Sequence, residues 1–361
     1  MKIGLYSPFL RDNIGGGERY LLTVAQCLLP QHQVDLIIGK ANPGLINKFS
    51  KNFNLKLKGL NLVTGPFTPN HTSQERSKFT SQYDIFYYMT DGSFFVSKAK
   101  LNAVHFMIPL NQSPSLIQRL KLNTWKIKTT NSFFTKNYLE KSWKININYV
   151  HWGAVDPKDF PILPKKNIIL NVGRFFSPEG NKHCKRQDFL VKTFIKMFDS
   201  GLLSNWQLIL NGPIDSGSDN QAYARSVATL AKGYPITIRH QGNFKQLQKD
   251  YGESKIYWHA AGYGIDETTN PQAVEHLGLS TVEAMAAGAV PVVIKQGGQP
   301  EIVTHQKDGL LWQNQAELIS QTKSLITDPQ TLHRLASAAH TRSLDFSLKK
   351  FCQQTYKIFN L

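Results

Sequence analysis

Residues 271–293 read PQAVEHLGLSTVEAMAAGAVPVV, a short helical pattern that leads directly into an apolar run. Pro271 and Gly278 argue against a single helix through the segment, so we predict a helix that begins at Ser280 and stops at Gly288. The AVPVV run that follows has the length and the β-branched content of a buried strand. Helices that alternate with buried strands build a parallel sheet.

The same alternation extends along the whole chain. In the first half, KIGLYS, VDLIIG, IFYYM and LNAVHFMI are predicted strands, and ERYLLTVAQCLL and SFFTKNYLEKS are predicted helices. After the proline-punctuated segment 156–167 the pattern restarts, with strands NIILNVGR, WQLILNGP, ITIRHQG, KIYWHAA and AVPVVI. We therefore predict an α/β protein with two Rossmann-like, doubly wound parallel-sheet domains that face a central cleft. The predicted domains are 1–155 and 167–344, joined by a linker over 156–166.

The net charge of +17 is concentrated in the first half of the chain. Residues 1–165 contain 21 Lys and Arg against 9 Asp and Glu, whereas residues 166–361 contain 21 against 16. Such a field attracts nucleic acid, anionic lipid or phosphorylated ligands without specifying a fold. Because no recognisable nucleic-acid-reading module accompanies the charge, we expect no nucleic-acid partner.

The cysteines and the N-terminus predict a cytoplasmic protein. MKIGLYSPFL indicates a first strand rather than a signal peptide, and no window approaches the roughly 18 apolar residues of a membrane span. Cys27, Cys184 and Cys352 form no CxxC motif and no even framework. We therefore expect reduced thiols.

One basic segment, SLIQRLKLNTWKIK over residues 115–128, has two interpretations. It mixes apolar with basic side chains, namely Leu116, Ile117, Leu120 and Trp125 with Arg119, Lys121, Lys126 and Lys128. The segment therefore suits peripheral contact with an anionic membrane at the inner face of the cell. It equally suits a short helix followed by an ordinary strand whose alternate residues are buried.

Two glutamates flank the start of the helix predicted in the opening stretch. Ser280 and Glu283 have the spacing of a capping box, which gives Glu283 a purely structural interpretation. Glu275 lies before the helix, where a carboxylate can accept hydrogen bonds from sugar hydroxyls. The free amides around Gly278, Leu279 and Ser280, together with the helix dipole, favour a negatively charged ligand. A sugar joined by diphosphate to a ribose has that order of groups.

Glu275-x7-Glu283, followed by AMAAGAVPVV and GGQPEIV, resembles the retaining glycosyltransferases of family 4, which have the GT-B fold. The resemblance covers nearly the whole chain and includes NIGGGERYLLTVAQCL, TNSFFTKNYLEKSW, NVGRFF with CKRQDFLVKTF, and DFSLKKFCQQTYKIF. It implies that the C-terminal helix, residues 345–361, returns to the N-terminal domain.

The resemblance also implies a catalytic set. Arg174 and Lys185 match the basic pair that neutralises the donor diphosphate, although a solvated basic loop is the alternative. His105 matches a histidine at a strand end near the donor sugar, although such a residue is often structural. Glu275 completes the set by holding the sugar hydroxyls.

Further donor-binding residues follow from the same resemblance. Gly16 and Gly17 match a glycine-rich loop whose amides approach the donor phosphate, although a glycine triplet is often only a flexible turn. Asn243 lies where the family holds the nucleobase through the main chain. Glu283 is assigned to the ribose.

The resulting prediction is a retaining enzyme that moves a sugar from a nucleoside diphosphate to a hydroxyl of a carbohydrate or lipid-linked acceptor. Synthesis of polysaccharide, lipopolysaccharide or glycolipid is the expected setting. We expect neither a cofactor nor a metal, because no HExxH and no clear DxD is present. Two alternatives stay open, namely a GT-B-fold sugar-nucleotide epimerase and a non-catalytic polybasic binding protein.

Overall fold

The computed structural model describes residues 1–10, 15–39, 42, 44–179, 183–241 and 243–361. The chain divides into two compact units, which we call unit 1 and unit 2. Unit 1 comprises Met1–Ala154 together with Leu348–Leu361, and unit 2 comprises Val155–Ser347. The division thus falls at 154/155 and 347/348, beside the predicted boundaries at 155 and 344.

Unit 1 is a seven-stranded parallel sheet with the order β3-β2-β1-β4-β5-β6-β7. Its strands are β1 Lys2–Tyr6, β2 Gln33–Ile38, β3 Asn61–Thr64, β4 Ile85–Thr90, β5 Leu101–Phe106, β6 Ile127–Thr130 and β7 Tyr149–Val150. Its helices are α1 Gly16–Leu28, α2 Leu45–Phe53, α3 Ser73–Thr80, α4 Leu116–Asn123, α5 Phe133–Trp143 and the C-terminal helix Leu348–Phe359.

The central strands of this sheet are covered on both faces, which explains their continuous apolar runs. In β4, Ile85 and Tyr87 belong to one core cluster, whereas Phe86 and Tyr88 belong to another. Successive side chains of a strand point to opposite faces, so the two clusters lie on the two sides of the sheet.

Unit 2 repeats the architecture with six parallel strands in the order β10-β9-β8-β11-β12-β13. Its strands are β8 Lys166–Val172, β9 Gln207–Asn211, β10 Ile236–Arg239, β11 Ser254–His259, β12 Val290–Ile294 and β13 Leu310–Trp312. Its helices are α6 Gln187–Asp199, α7 Ser218–Ala231, α8 Phe244–Glu253, α9 Leu279–Ala286, α10 Gln299–Ile302, α11 Gln315–Thr327 and α12 Pro329–Ser343. The C-terminal helix of unit 1 is then α13. The two doubly wound α/β sheets confirm the predicted fold class.

The expectation of three reduced thiols is wrong, because Cys27 and Cys352 form a disulfide. Cys27 lies on α1 and Cys352 on α13, and Phe351 and Ile358 of α13 share the core cluster of α1. Packing of these two helices brings together cysteines that are 325 residues apart in sequence, so no local spacing could indicate the pair. Cys184 is a free, buried thiol.

We expect Cys352→Ser to destabilise unit 1. A cross-link over a long loop contributes about 2–5 kcal/mol to the free energy of unfolding, so the thermal midpoint should fall by about 5 °C or more. Thermal unfolding with and without reductant measures this. Reductant should lower the wild-type midpoint to that of Cys352→Ser and leave the variant unchanged. A wild-type midpoint that ignores reductant would contradict the prediction.

Candidate functional site

The carboxyl edge of the unit 2 sheet gathers most of the predicted site residues. Because neighbouring parallel strands end at the same edge, Arg174 after β8, His259 at the end of β11 and Gly297 after β12 come together there. The loop before α9 adds Glu275 to the same edge. Sequence-distant residues thus meet at the place where open α/β sheets bind ligands.

Glu275 is the centre of this group and is 8% exposed. Its Oε2 lies 2.5 Å from the ammonium of Lys185 and 3.1 Å from Nε2 of His259. Nε2 of His183 lies 3.5 Å from the same oxygen. Burial alone would raise the pKa of Glu275, but the Lys185 charge and the two histidines outweigh it and hold this pKa well below its usual range. The carboxylate is therefore ionised although it is buried.

Lys185 reaches Glu275 across the end of β8. A Cβ on Gly173 would lie 2.7 Å from Cγ of Lys185, so only glycine leaves room for the lysine stem. The ammonium also lies 3.1 Å from Nε2 of His183. Burial lowers the pKa of His183, and the positive charge of Lys185 lowers it further. Nε2 of His183 therefore lies within reach of both the ammonium and the carboxylate of this pair.

The start of α9 has a different cap from the one that the sequence predicted. Gly278 is the N-cap and has a left-handed backbone, with φ +102 and ψ 60. The first-turn amides of Leu279 and Ser280 meet no hydrogen-bond acceptor among the described residues. They are placed to bind an anion.

The capping-box interpretation of Glu283 is wrong. Ser280 lies inside the helix, and its Oγ accepts a hydrogen bond from the Tyr257 hydroxyl at 2.8 Å. Glu283 is 6% exposed, and its Oε2 accepts from the Tyr251 hydroxyl at 2.8 Å. Burial raises the pKa of Tyr257, and the charges of Glu275 and Glu283 also raise it. Both carboxylates therefore lie near that ring.

The glycine-rich loop after β12 closes against the segment that contains Glu275. The Gly298 amide donates to the Glu275 carbonyl at 2.8 Å. A Cβ on Gly297 would lie 2.1 Å from the same carbonyl oxygen, which explains the glycine at that position. Thr281 Oγ1 donates to Oε1 of Gln299 at 2.9 Å, which ties the loop to the first turn of α9.

Arg174 is the more exposed of the two predicted diphosphate ligands. Its Nη1 lies 3.4 Å from Oδ2 of Asp215, and its guanidinium lies 4.8 Å from the ring centre of Phe176. The positive charge of Arg174 also lowers the pKa of His183. Arg174 is therefore close enough to act electrostatically on the cluster around Glu275.

The other predicted donor-binding residues have these surroundings within their own units. Asn243 is the N-cap of α8, and its Oδ1 accepts from the Gln246 amide at 2.9 Å. The preceding residue, Gly242, lies outside the described residues. Gly16 and Gly17 are the first two residues of α1 in unit 1. A Cβ on Gly16 would meet no described atom within 4 Å, so nothing described there requires glycine.

His105 is fully buried in unit 1. Its ring stacks on Tyr20 at 4.3 Å, its Nδ1 lies 2.8 Å from Oγ1 of Thr129, and its Nε2 lies 3.2 Å from the sulfur of Met107. Burial lowers the pKa of His105 well below its usual value. These contacts match the structural interpretation, and a role of His105 at a donor sugar stays a prediction.

Sequence reasoning missed several residues of the cluster, chiefly His183, His259, Tyr257 and Tyr251. Tyr257 and His259 are alternate residues at the carboxyl end of a buried strand. That position in the strand is the sequence feature that could have indicated them as site residues. The described residues contain no group of three or more His, Cys, Asp or Glu side chains that could hold a metal ion. Among the helices described, none is long and apolar enough to cross a membrane.

The sequence profile described as Glycosyl transferases group 1 matches residues 155–342, slightly more than half of the chain. The chain belongs to this family. The match favours a glycosyltransferase over the epimerase and the non-catalytic binding protein.

The chain is also similar to a curated relative and to solved structures. A human GDP-Man:Man(3)GlcNAc(2)-PP-Dol alpha-1,2-mannosyltransferase is 24% identical over 246 residues, which cover 63% of this chain and 46% of the relative. The crystal structure of a glycosyltransferase from Rickettsia africae has a TM-score of 0.75 at 16% identity and covers 99% of this chain and 98% of its own. That of Anabaena Alr3699/HepE with UDP and glucose has a TM-score of 0.72 at 17% identity and covers 99% of both chains. These likenesses identify the fold as GT-B.

We expect Gly278→Ala to damage the glycosyltransferase more than a glycine replacement at another left-handed position. The added Cβ would meet Nε2 of Gln299 at 2.0 Å, in addition to the strain of a positive φ, which is about 1–3 kcal/mol. Gly233→Ala is the matched control, because Gly233 has φ +87 and open space around it. Denaturant unfolding should show a clearly larger loss of stability for Gly278→Ala, and equal losses would contradict the tight packing of this turn.

Proposed function

We propose that the protein is a retaining glycosyltransferase that moves a sugar from a nucleoside diphosphate to an acceptor hydroxyl. The observation that supports this most is the buried, ionised carboxylate of Glu275 beside the open amides of Leu279 and Ser280. Few ligands need a fixed hydroxyl acceptor next to an anion site. A sugar diphosphate needs both.

In this proposal the diphosphate is stabilised by Arg174, Lys185 and the start of α9. Arg174 leaves Asp215 and binds the diphosphate instead. Its ion pair with Asp215 is 3.4 Å long and the arginine side chain is 41% exposed, so the pair contributes only about 0–1 kcal/mol to stability. Fixed positive groups around a leaving phosphate stabilise the charge that develops as it departs. The same groups supply charge that a cation would otherwise provide, so we propose a metal-independent reaction.

The two glutamates have separate roles. Glu275 accepts hydrogen bonds from hydroxyls of the transferred sugar. Glu283, which the Tyr251 hydroxyl holds through Oε2, accepts from the ribose. The ribose is common to the intact donor and to the nucleoside diphosphate, whereas the sugar is present only in the donor.

Retention of configuration follows when the acceptor attacks from the face that the diphosphate leaves. The bond from the anomeric carbon to the phosphate oxygen breaks as the bond to the acceptor oxygen forms. The acceptor proton passes to the departing phosphate oxygen, so no protein nucleophile is required. Water must be excluded during this step, because it would compete with the acceptor.

The choice of donor and acceptor is also part of the proposal. The human relative is named for a GDP-mannose donor and an acceptor on PP-Dol, and the Anabaena structure contains UDP and glucose. We therefore propose a UDP- or GDP-linked hexose as donor and a carbohydrate or lipid-linked acceptor, in polysaccharide, lipopolysaccharide or glycolipid synthesis.

Binding measurements with Glu275→Gln and Glu283→Gln separate the two assignments. Titration calorimetry with UDP-glucose, GDP-mannose, UDP and GDP should show that Glu275→Gln weakens binding of the preferred sugar nucleotide by about 10- to 100-fold. Its affinity for the corresponding nucleoside diphosphate should not fall, because the change removes a negative charge beside Lys185. Glu283→Gln should weaken both ligands alike. Wild-type protein that binds no sugar nucleotide, in a panel that adds ADP- and dTDP-sugars, would contradict the proposed function.

We further propose that α4 of unit 1 touches an anionic membrane near a lipid-linked acceptor. Leu116, Ile117 and Leu120 are 80%, 66% and 70% exposed on this helix, an unusual concentration of apolar surface. Arg119 donates to the Trp143 carbonyl, which places α4 beside the end of α5. The surrounding exposed basic residues are Lys126, Lys141 and Lys144.

Two residues of the segment predicted to face the membrane instead pack against unit 1, where Trp125 is buried and Lys128 is half-buried. Trp125 is fully buried, and its Nε1 donates to the Phe95 carbonyl at 3.1 Å. Lys128 donates to the Trp125 carbonyl at 2.9 Å. Both follow α4, at or beside β6, so the helix is followed by a strand as in the alternative interpretation of the segment. The proposed membrane contact therefore rests on α4 alone.

Vesicle flotation tests the membrane contact. A Leu116→Ser, Ile117→Ser, Leu120→Ser triple variant should bind vesicles containing phosphatidylglycerol about tenfold more weakly than wild type. Ile162→Ser with Leu344→Ser, which removes exposed apolar residues of unit 2, should bind as wild type does. Wild-type binding that is equal on neutral and anionic vesicles, or absent from both, would reject the proposal.

A further inference from the structure

His259 is a buried histidine next to the proposed sugar-holding carboxylate, and no role has yet been given to it. Its side chain is fully buried at the carboxyl end of β11, between β8 and β12 in the sheet. We infer that His259 is a positioning residue, which fixes one oxygen of Glu275 so that the other oxygen is presented to the sugar. The inference rests on the proposed function of Glu275 and deepens it.

The two oxygens of Glu275 have different surroundings. The contacts with Lys185, His259 and His183 all end on Oε2. Oε1 receives no hydrogen bond from any residue within the described ranges. One oxygen is thus held by the protein, and the other has its lone pairs available for a hydroxyl donor.

The contact with Glu275 also determines which ring nitrogen of His259 carries the proton. An ionised carboxylate can only accept, so Nε2 of His259 must be the protonated nitrogen that donates to Oε2. Nδ1 is then the bare nitrogen, and it is buried without a hydrogen-bond partner in the described part of the chain. Burial lowers the pKa of His259, which keeps the ring neutral. The histidine therefore supplies a directed donor without adding a charge.

Lys185 alone cannot fix the orientation of the Glu275 carboxylate. Its ammonium is a point charge on a flexible four-carbon stem, and its three donors rotate. The imidazole is planar, rigidly packed and attached to a central strand. A second, fixed donor on Oε2 restricts rotation of the carboxylate, and pre-organised groups lose less freedom when a ligand binds.

Two replacements of His259 test the inference. His259→Gln can place an amide N–H near the position of Nε2, whereas His259→Leu fills the volume without a donor. We expect His259→Leu to weaken the preferred sugar nucleotide by about 10-fold or more, with little change for the matching nucleoside diphosphate. His259→Gln should restore most of the affinity for the sugar nucleotide that His259→Leu loses. A purely structural role would shift both ligands together.

Two controls keep the outcomes separate. His340→Leu removes a histidine whose Nδ1 contacts the Ala286 carbonyl at 2.8 Å, at the other end of α9. It should lower the thermal midpoint without affecting sugar discrimination. In a His259→Leu, Glu275→Gln double variant, the second change should add little, because both remove the same interaction.

The results distinguish the inference from the function on which it rests. If Glu275→Gln loses the sugar-dependent affinity and His259→Leu retains it, the positioning role is wrong and the proposed function stands. If Glu275→Gln retains that affinity, the role of Glu275 fails and the inference fails with it. Wild-type protein that binds no sugar nucleotide would reject both.

Discussion

The buried pair between Lys185 and Glu275 determines the arrangement of the unit 2 site. A carboxylate removed from water costs several kcal/mol unless other charges and donors compensate it. Lys185 and His259 provide that compensation on a single oxygen, at 2.5 Å and 3.1 Å. The lysine reaches this position only because Gly173 has no side chain. The end of β8, Lys185 and Glu275 therefore depend on one another. Loss of either charge would leave its buried partner unpaired.

The backbone around Glu275 is as constrained as its side chain. Gly297 and Gly298 approach the carbonyls of Glu275 and His276 so closely that a Cβ on either would collide with them. Gly278 then turns the chain into α9 with a positive φ. Main-chain amides and a carboxylate are thus presented on a rigid turn rather than on a mobile loop. Rigid presentation matters because a misplacement of about 1 Å can cost two orders of magnitude in rate.

The central strands and the two-sheet architecture were predictable because buried parallel strands form long apolar runs. The short outer strands β3, β7 and β13 were not, since they have only two to four residues and weak patterns. Ser-x-x-Glu predicted a capping box, but the left-handed Gly278 starts the helix earlier and places Ser280 inside it. His259 was missed because a single histidine has no motif. Its meaning comes from Glu275, which is 16 residues away in sequence.

Exposure determines which ion pair a diphosphate would displace. The Lys185 and Glu275 side chains are 16% and 11% exposed, so breaking their pair would strand a buried carboxylate. The Arg174 and Asp215 side chains are 41% and 23% exposed at a longer distance, so water and counterions already compete for that contact. An incoming dianion should therefore release Asp215 and leave Lys185 bound to Glu275. In the proposed function, Lys185 would then contribute charge to the diphosphate while it stays paired with Glu275, so one ammonium would act on both the phosphate and the sugar.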